Sequence, residues 1–252
     1  MPFAEHPTDD TGSSVAAKLS ALIALHRHEV DALRSLEEHP VGVGLGETIQ
    51  KLEEPGAACH IVKRGWFVSE CFGPSRGRAI SQIHFPGDVI GLSNLPYEHT
   101  IFCVTAKSRG AICRVPQESF GKLLSDNSRL AGLLFCMALI EQTQRGDRAA
   151  LHLRNYATAR VALFVLQTLD RLKLNGFHAE DQFHCPLTQM DIGDLVGLTN
   201  VHISRTFRQL KQLRMVETHG SFIKVMDRDG LCKLAGYVDR YERLNVNWLP
   251  HQ

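Results

Sequence analysis

Two short helical patterns joined by a glycine constrain the fold of this chain more than any other feature. In the stretch from 188 to 210, Thr188 and Asp191 have the spacing of an N-terminal capping box. Gly197 permits the left-handed backbone that a sharp turn between two helices requires, and Thr199 can cap the second helix. The apolar positions fall on one face of each helix: Ile192, Leu195, Val196, Ile203, Phe207 and Leu210. The pattern predicts a helix-turn-helix.

The second helix of this motif has a polar and basic outer face. A two-stranded hairpin is predicted after it, because residues 215–227 alternate apolar and polar around Gly220. An ordinary helical hairpin would also use Gly197, but the basic face and the hairpin together favour a winged helix-turn-helix that binds DNA. The outer positions that carry this prediction are Asn200, His202, Arg205, Arg208 and Lys211.

The region before this motif has a different character. Nine glycines lie between Gly42 and Gly91, and short apolar runs separate them. Such a pattern predicts an antiparallel sandwich or barrel-like roll. The runs are Ala58–Val62, Trp66–Val68, Ala79–Phe85, Ile101–Ala106 and Ala111–Val115. A helical period, interrupted near His26–His28, precedes the roll from Val15 to Glu38.

Between the roll and the motif, one long helical pattern runs from Glu118 to about Leu153. Its apolar stripe is denser than a small roll could cover, so we expect a second copy of the helix to pack on it. The alternative is a helix buried within its own subunit. The stripe consists of Leu123, Leu124, Leu130, Leu133, Leu134, Met137 and Ile140.

The composition narrows the class of protein. A net charge of +1 argues against a binder that uses its whole surface for nucleic acid, but it permits a small basic face on one domain. Seven scattered cysteines without a C-x-x-C pair favour reduced thiols and a cytoplasmic location. The longest apolar run, 130–140, is too short to span a membrane. The sequence contains no P-loop, G-x-S-x-G or H-E-x-x-H motif, so we do not expect an enzyme.

Several of these motifs together resemble the Crp/Fnr family of bacterial transcription regulators, from about residue 30 to 235. They are 65-GW-66, 83-IHFPGDVIGL-92, the helix-turn-helix at 188–210 and 219-HG-220 at the wing. The resemblance implies an effector domain of the cyclic-nucleotide-binding type, a long dimerisation helix and a winged helix that binds a two-fold symmetric DNA site.

The chain departs from family members that bind cyclic AMP. Those members carry Gly-Glu after the PGD turn and an Arg-Ser or Arg-Thr pair further on, which hold the ribose and the cyclic phosphate. Here Gly91 is followed by Leu92 and Ser93, and the arginine position falls near Thr100 or Ile101. Without the arginine a buried phosphate loses a charge-assisted bidentate contact. We therefore expect no cyclic-nucleotide binding.

The cofactors of other family branches are not expected either. Iron–sulfur members use closely spaced N-terminal cysteines, whereas this chain has none before Cys59. Haem members use a histidine or the N-terminal proline; Pro2 and His84 are weak candidates, and a surface or core role fits His84 better. We expect inert, buried cysteines at Cys59, Cys71, Cys103 and Cys113. No metal site is predicted.

The family resemblance also implies how DNA is read. Many members place a glutamate two residues after the cap of the second helix, where this chain has Val201. We expect Arg205 to read guanine without the neighbouring preference that the glutamate imposes. The predicted base contacts are Asn200, Val201, His202, Ser204 and Arg205, and the predicted backbone contacts are Thr188, Gln189, Thr199, Arg208, Lys211 and Lys224.

The predicted fold class is α+β: an N-terminal antiparallel, jelly-roll-like β-roll, a long dimerisation helix and a C-terminal winged helix-turn-helix. The expected divisions are a disordered leader 1–14, the roll with its N-terminal helices 15–118, the dimerisation helix 119–155, the DNA-binding domain 156–240 and a tail 241–252. Expected partners are double-stranded DNA, a second copy of the chain and RNA polymerase, the last through the loop 175–183 or the roll surface. No contact with a membrane is expected. The alternative function is a sensory roll that acts through protein contacts.

Overall fold

The fold is described from a computed structural model. It describes residues 12–55, 58–72, 77–153, 156–176, 181–242 and 244–250. The helices are α1 (Ser14–Ser20), α2 (Arg27–Ser35), α3 (Gln117–Asp126), α4 (Ser128–His152), α5 (Ala157–Leu174), α6 (Gln189–Val196), α7 (Asn200–Gln212) and α8 (Arg228–Ala235). The strands are β1 (Val41–Val43), β2 (Thr48–Gln50), β3 (Ala58–Arg64), β4 (Phe67–Phe72), β5 (Arg78–His84), β6 (Val89–Ile90), β7 (Cys103–Ala106), β8 (Gly110–Pro116), β9 (Gln182–His184), β10 (Val216–His219) and β11 (Phe222–Val225).

The first eight strands form the predicted jelly-roll-like β-roll. They make two antiparallel sheets of four strands, in the orders β1-β8-β3-β6 and β2-β7-β4-β5. Each of the five apolar runs in the sequence overlaps one strand, because alternate side chains of a strand face the space between the sheets. Val62, Phe67, Ile90 and Val104 are buried there.

Ser13 and Ser14, which we placed in the predicted leader, belong to the cap and the first turn of α1. Residues 1–11 lie outside the described part of the chain, but Ser13 caps α1 by accepting a hydrogen bond from the amide of Ala16. The Ser13 hydroxyl also donates to Glu37 over 2.6 Å, and Glu37 forms a buried ion pair with Lys63 on β3. These bonds attach the first helix to the roll.

The single helix predicted over 119–155 is two helices, α3 and α4, with a bend of 117° between them. Asn127 ends the first and begins the second, with φ −134° and ψ 82°. Its side-chain amide donates to the carbonyl of Leu123 over 3.2 Å. The break falls in the run Ser-Asp-Asn-Ser, whose short polar side chains compete with the helix for backbone groups. The apolar periodicity continues through the break and conceals it.

The apolar stripe from which we predicted a dimer seam is buried within its own chain. Leu130, Leu133, Leu134, Met137 and Ile140 pack with α1, α3 and strands β3 and β8. The inference from that stripe to a second copy was therefore wrong. A different set of positions, on the other face of α4 and at its C-cap, recurs at alternating steps of three and four residues, and we call it the seam stripe. It consists of the half-buried Gly132 and the exposed Phe135, Leu139, Gln142, Gly146, Ala149 and Leu153.

The C-terminal region contains the predicted winged helix. Its sheet has three antiparallel strands in the order β10-β11-β9. The predicted hairpin at 215–227 supplies β10 and β11, and β9 begins inside the segment 175–183 that we expected to be a loop. Strand β9 pairs with β11, so it belongs to the wing sheet.

Helix α5 joins the winged helix to the roll. Its Val161, Phe164, Val165 and other buried residues belong to one core with Trp66 and further apolar side chains of the roll. The winged helix therefore packs directly on its own roll. Within the described residues no single helix is long and apolar enough to cross a membrane, and α3 and α4 pass that test only as a bent pair.

Candidate nucleic-acid interface

The turn between α6 and α7 has the geometry that the sequence predicts. Thr188 and Asp191 form the capping box, in which the Asp191 amide donates to Thr188 Oγ1 and the Thr188 amide donates to the Asp191 carboxylate. Gly197 ends α6 at φ 66° and ψ 43°, the left-handed region that a side chain would strain. A Cβ at Gly193 would collide with the carbonyl oxygen of Leu198. The two glycines therefore make the tight turn possible.

The inner face of α7 fixes the helix in place. Ile203 and Leu210 are fully buried and Phe207 nearly so, in the core shared with α5. Thr199 caps the helix by accepting from the amide of His202. Since the inner face is held this firmly, the outer face is presented in one orientation.

The predicted base-contacting residues lie together at the start of α7. Asn200, His202 and Arg205 are exposed, and Val201 is 61% exposed despite its apolar side chain. The Thr199 hydroxyl lies 3.1 Å from His202 Nδ1, which orients the imidazole. Ser204 is half-buried and donates its hydroxyl hydrogen to Gln189 on α6. This bond links a predicted base contact to a predicted backbone contact and braces the two helices.

The predicted backbone contacts surround this cluster in the motif. Thr188, Gln189 and Thr199 are exposed at the two helix starts, and Arg208 is exposed along α7. Lys211 donates to the wing carbonyl of Thr218 over 3.2 Å, so it also connects helix and wing. Lys224 is exposed on β11. Helix α7 carries three cationic side chains and no acidic one, which concentrates positive charge on a chain whose net charge is only +1.

An ion cluster that the sequence did not reveal holds α6 against the roll. Arg78 on β5 bonds both Asp191 and Asp194, at 2.7 and 2.6 Å, and Lys107 lies 2.9 Å from Asp191. Burial by itself would raise the pKa of Asp191, but hydrogen bonds from Thr188, Lys107 and Arg78 outweigh it and lower the pKa to about 2. Arg78 and Asp191 are 113 positions apart, and no local pattern connects them.

A second buried cluster ties α5 to the roll. Asp88, from the PGD turn, pairs with Arg171 on α5 at 2.6 Å and with Lys18 on α1. Arg171 also donates to the carbonyl of Ile83 and lies over the ring of Phe85. Burial opposes ionisation of Asp88, but the two cations outweigh it and lower its pKa to about 2. The turn that resembles the family signature therefore also anchors the DNA-binding domain.

The roll contains a cavity of about 360 Å³ between its strands and α4. Leu92 and Ser93, at the positions where cyclic-AMP binders have glutamate and its neighbour, line its wall. Thr100 is not among the lining residues; its hydroxyl donates to the carbonyl of Lys51 over 2.6 Å. The charged lining groups are Glu141 and Arg145 of α4.

His84 also lines the cavity and is a core residue. Its Nε2 atom lies 2.7 Å from the hydroxyl of Ser69, and burial lowers its pKa to about 3. His84 is therefore a core residue with one ring nitrogen hydrogen-bonded, while its buried Nδ1 atom has no hydrogen-bond partner among the described residues. Pro2, the other weak haem candidate, lies outside the described residues.

The four roll cysteines, all free thiols, fall into two groups that differ in burial. Cys59 and Cys113 are buried as expected, and burial raises the pKa of their thiols to about 12 and about 11. Cys71 and Cys103 are only half-buried, which corrects the expectation for them. Each of these two lies near an end of its strand, where the sheet gives less cover.

Comparisons with known proteins agree with this architecture. Residues 159–234 match the family model of a Crp-like helix-turn-helix domain. The chain is 26% identical to the transcriptional activator protein FnrA of Stutzerimonas stutzeri, over 85% of this chain and 87% of that protein. It is 25% identical to the fumarate and nitrate reduction regulatory protein of Escherichia coli K12, over 88% of each. The structure of FixK2 from Bradyrhizobium japonicum superposes with a TM-score of 0.70 at 25% identity, covering 79% of this chain and 98% of that one.

Proposed function

This chain belongs to the Crp/Fnr family of DNA-binding transcription regulators, and on that premise we propose that it binds a two-fold symmetric promoter site as a homodimer. The observation that carries the proposal is the start of α7. There an inner face buried in the core presents Asn200, Val201, His202 and Arg205 to solvent beside a wing. The N-terminal turns of a recognition helix are the part that reaches base edges in the major groove.

Each side chain in this group has a base edge that suits its chemistry. Arg205 can donate two hydrogen bonds to O6 and N7 of guanine, and Asn200 can pair with N6 and N7 of adenine. The Val201 methyl groups can pack on a thymine methyl, and His202 can donate to a guanine acceptor or a phosphate. Ser204 contributes chiefly by bracing α7 through Gln189.

A second group of side chains suits the DNA backbone, which fixes position and supplies affinity without reading sequence. Arg208 and Lys211 on α7 and Lys224 on the wing are the cations of this group. Thr188, Gln189 and Thr199 add polar groups at two helix starts, where the positive end of each helix dipole favours phosphate.

The homodimer is proposed from the seam stripe of α4. Phe135 and Leu139 are 57% and 42% exposed, and Gly146 and Ala149 are small enough for a second helix to approach closely. Steps of three and four residues are the spacing of a two-helix seam. Pairing along it would set the two recognition helices at the separation of about 34 Å that successive major grooves require.

Binding to DNA fragments over a salt series tests the proposal. Arg205→Ala should lose about 1–3 kcal/mol on the specific site and relax its sequence preference. Arg208→Ala is the matched control on the same helix: it should weaken all sequences alike and flatten the salt dependence. Lys211→Ala should act in the same way, although it also removes the bond to Thr218. Equal loss on specific and random DNA for Arg205→Ala would remove the base-reading role.

The competing proposal is a sensory roll that acts through protein contacts. It predicts no sequence-specific retention of genomic fragments at any salt concentration. Leu139→Lys separates the dimer from the fold, because a charge on the seam stripe should give a folded monomer in sedimentation and remove high-affinity binding to the symmetric site. A dimer unchanged by Leu139→Lys would contradict the proposed seam.

We further propose that no cyclic nucleotide and no N-terminal iron–sulfur cluster controls this protein. The proposal is supported by Leu92 and Ser93 in the cavity wall and by the lack of any cysteine before Cys59. Calorimetry with cyclic AMP should give no saturable heat; low-micromolar binding would contradict the proposal.

We place the protein in the cytoplasm as a DNA-binding protein without catalytic activity. A contact with RNA polymerase would use the roll surface or the loop 175–183, of which residues 177–180 lie outside the described chain.

A further inference from the structure

The C-terminal segment lies along α4 next to the seam stripe. We call residues 240–242 and 244–250 the strap. Arg240 makes two hydrogen bonds to Asp147, at 2.6 and 3.0 Å, and Leu249 reaches Gly132 at the other end of the helix. The strap therefore runs antiparallel to α4 for about 22 Å, the length of fifteen helical residues. The family model ends at residue 234, before the strap begins.

Leu249 fills a gap in the seam stripe. Gly132 is its first position and has no side chain, and a Cβ built there would collide with the Leu249 side chain. Leu249 is only 3% exposed within its own chain. A glycine in the interior of a helix costs about 1 kcal/mol relative to alanine, so its presence here fits a close approach by another group. The strap thus supplies the apolar side chain that the helix lacks at this position.

Trp248, the preceding residue, faces the other way. It is 60% exposed, and its indole nitrogen donates to the carbonyl of Asn245 within the strap. Trp248 lines an apolar groove of about 220 Å³ that borders the seam stripe at Leu139; the rest of its lining comes from the strap, from α1 and the residues after it, and from α4 positions outside the seam stripe. A large aromatic side chain left in water forgoes a substantial hydrophobic stabilisation. Trp248, Leu139 and Phe135 give this side of α4 exposed apolar area on both the helix and the strap.

We propose that the strap is part of the homodimer interface: Leu249 anchors the strap on α4 within its own chain, and Trp248 is covered by α4 of a second copy. The proposal rests on the homodimer proposed above. A second copy is the occupant that fits, because the groove includes Leu139 and is continuous with a stripe whose spacing matches another α4. Two-fold symmetry would place each Trp248 against the other chain and cover both at once.

Tryptophan fluorescence over a dilution series tests this proposal on the full chain. The sequence has two tryptophans, and Trp66 is buried against Phe85 and Phe183, so its emission should not change with dilution. Subtracting the spectrum of Trp248→Phe isolates the signal of Trp248. We expect its emission to shift to shorter wavelength, and its quenching by acrylamide to fall at least twofold, over the concentrations at which sedimentation shows dimer forming. A dimer with unchanged Trp248 emission would overturn the strap proposal and leave the proposed function intact, whereas a monomer at all concentrations would overturn both.

The effect of substitutions on the dimer dissociation constant provides a second test of the strap proposal. Trp248→Ala should raise the dimer dissociation constant about tenfold or more, since buried tryptophans are frequent interface hot spots. Val238→Ala, an exposed apolar residue that lies before the strap, is the matched control and should leave that constant unchanged. Leu249→Gly should also weaken the dimer, because it removes the side chain that anchors the strap on α4. Equal dissociation constants for Trp248→Ala and Val238→Ala would contradict the proposal.

Discussion

Arg78 in the roll and Asp191 in the first helix of the DNA-binding motif form an ion pair of 2.7 Å across two parts of the fold. The same carboxylate holds the capping box of α6 through Thr188. One side chain therefore serves both the local helix start and the attachment of that helix to the roll. The position of the recognition helix depends on this attachment, because α6 packs directly on α7.

We predict that Arg78→Ala lowers the free energy of unfolding by about 1–3 kcal/mol, because it leaves nearly buried carboxylates with one cation fewer. Arg34→Ala is the control, since the Arg34–Asp31 pair is more than half exposed on both sides and should contribute little. Urea denaturation would measure the free energy of unfolding of each variant, and its slope against urea concentration should be the same for both. Equal midpoints for the two variants would show that the cluster does not hold the domains together.

Val201→Glu should introduce a preference that the natural sequence lacks. A glutamate at this exposed position can accept a hydrogen bond from the amino group of cytosine, which is worth about 1–3 kcal/mol of discrimination. Stability should change by less than about 0.5 kcal/mol, because Val201 is exposed. Binding selection from randomised half-sites would show the new base. Val201→Ala is the control and should lose a thymine preference without gaining another; recovery of the same motif from all three proteins would remove Val201 from base reading.

Alanine at two helical glycines should have opposite effects. In Gly193→Ala the new methyl group meets the carbonyl of Leu198, which is backbone and cannot move aside, so we expect a loss of about 1–3 kcal/mol. In Gly121→Ala nothing lies within 4 Å of the new atom, and helix propensity should add about 1 kcal/mol. Thermal unfolding of both variants would measure the contrast. A tolerated Gly193→Ala would mean that the turn between α6 and α7 is looser than the structure shows.

His84 should make stability depend on pH. Burial lowers its pKa from 6.5 to about 3, so the folded chain keeps it neutral while the unfolded chain protonates it. Its contribution is therefore complete above pH 6.5 and is lost as the pH falls toward 3, at about 1.4 kcal/mol per pH unit. His60, whose pKa is lowered to about 4, acts in the same direction.

His84→Gln isolates this effect, because glutamine does not titrate. Between pH 7 and pH 5 the free energy of unfolding of the natural chain should fall by about 2 kcal/mol more than that of the variant. Denaturation curves at the two pH values give the comparison. Identical pH slopes would show that His84 takes up its proton over the same pH range in the folded protein as in the unfolded chain.

The local signals of the DNA-binding motif could be read before the structure. Thr188, Gly197 and Thr199 act within a few residues of themselves, and capping and left-handed turns are short-range chemistry. The inner positions Ile203 and Leu210 followed from helical periodicity. The strands of the roll were predictable for a related reason: their apolar runs are short and are separated by glycine.

Other features were decided by tertiary structure alone. The burial of the Leu130–Ile140 stripe within its own chain depends on what packs against α4, which periodicity cannot specify. Which residues of α4 are exposed follows from which face of the helix is buried, and that depends on the rest of the fold.

The sequence by itself determined the helix-turn-helix and the roll and carried the resemblance to the Crp/Fnr family, because each depends on residues that are close together along the chain. Only the tertiary structure decided which face of α4 is free, which cations meet Asp88 and Asp191, and where the strap lies. Those features join residues up to 117 positions apart, such as Gly132 and Leu249, and a contact of that kind exists only when the whole chain has closed around its core.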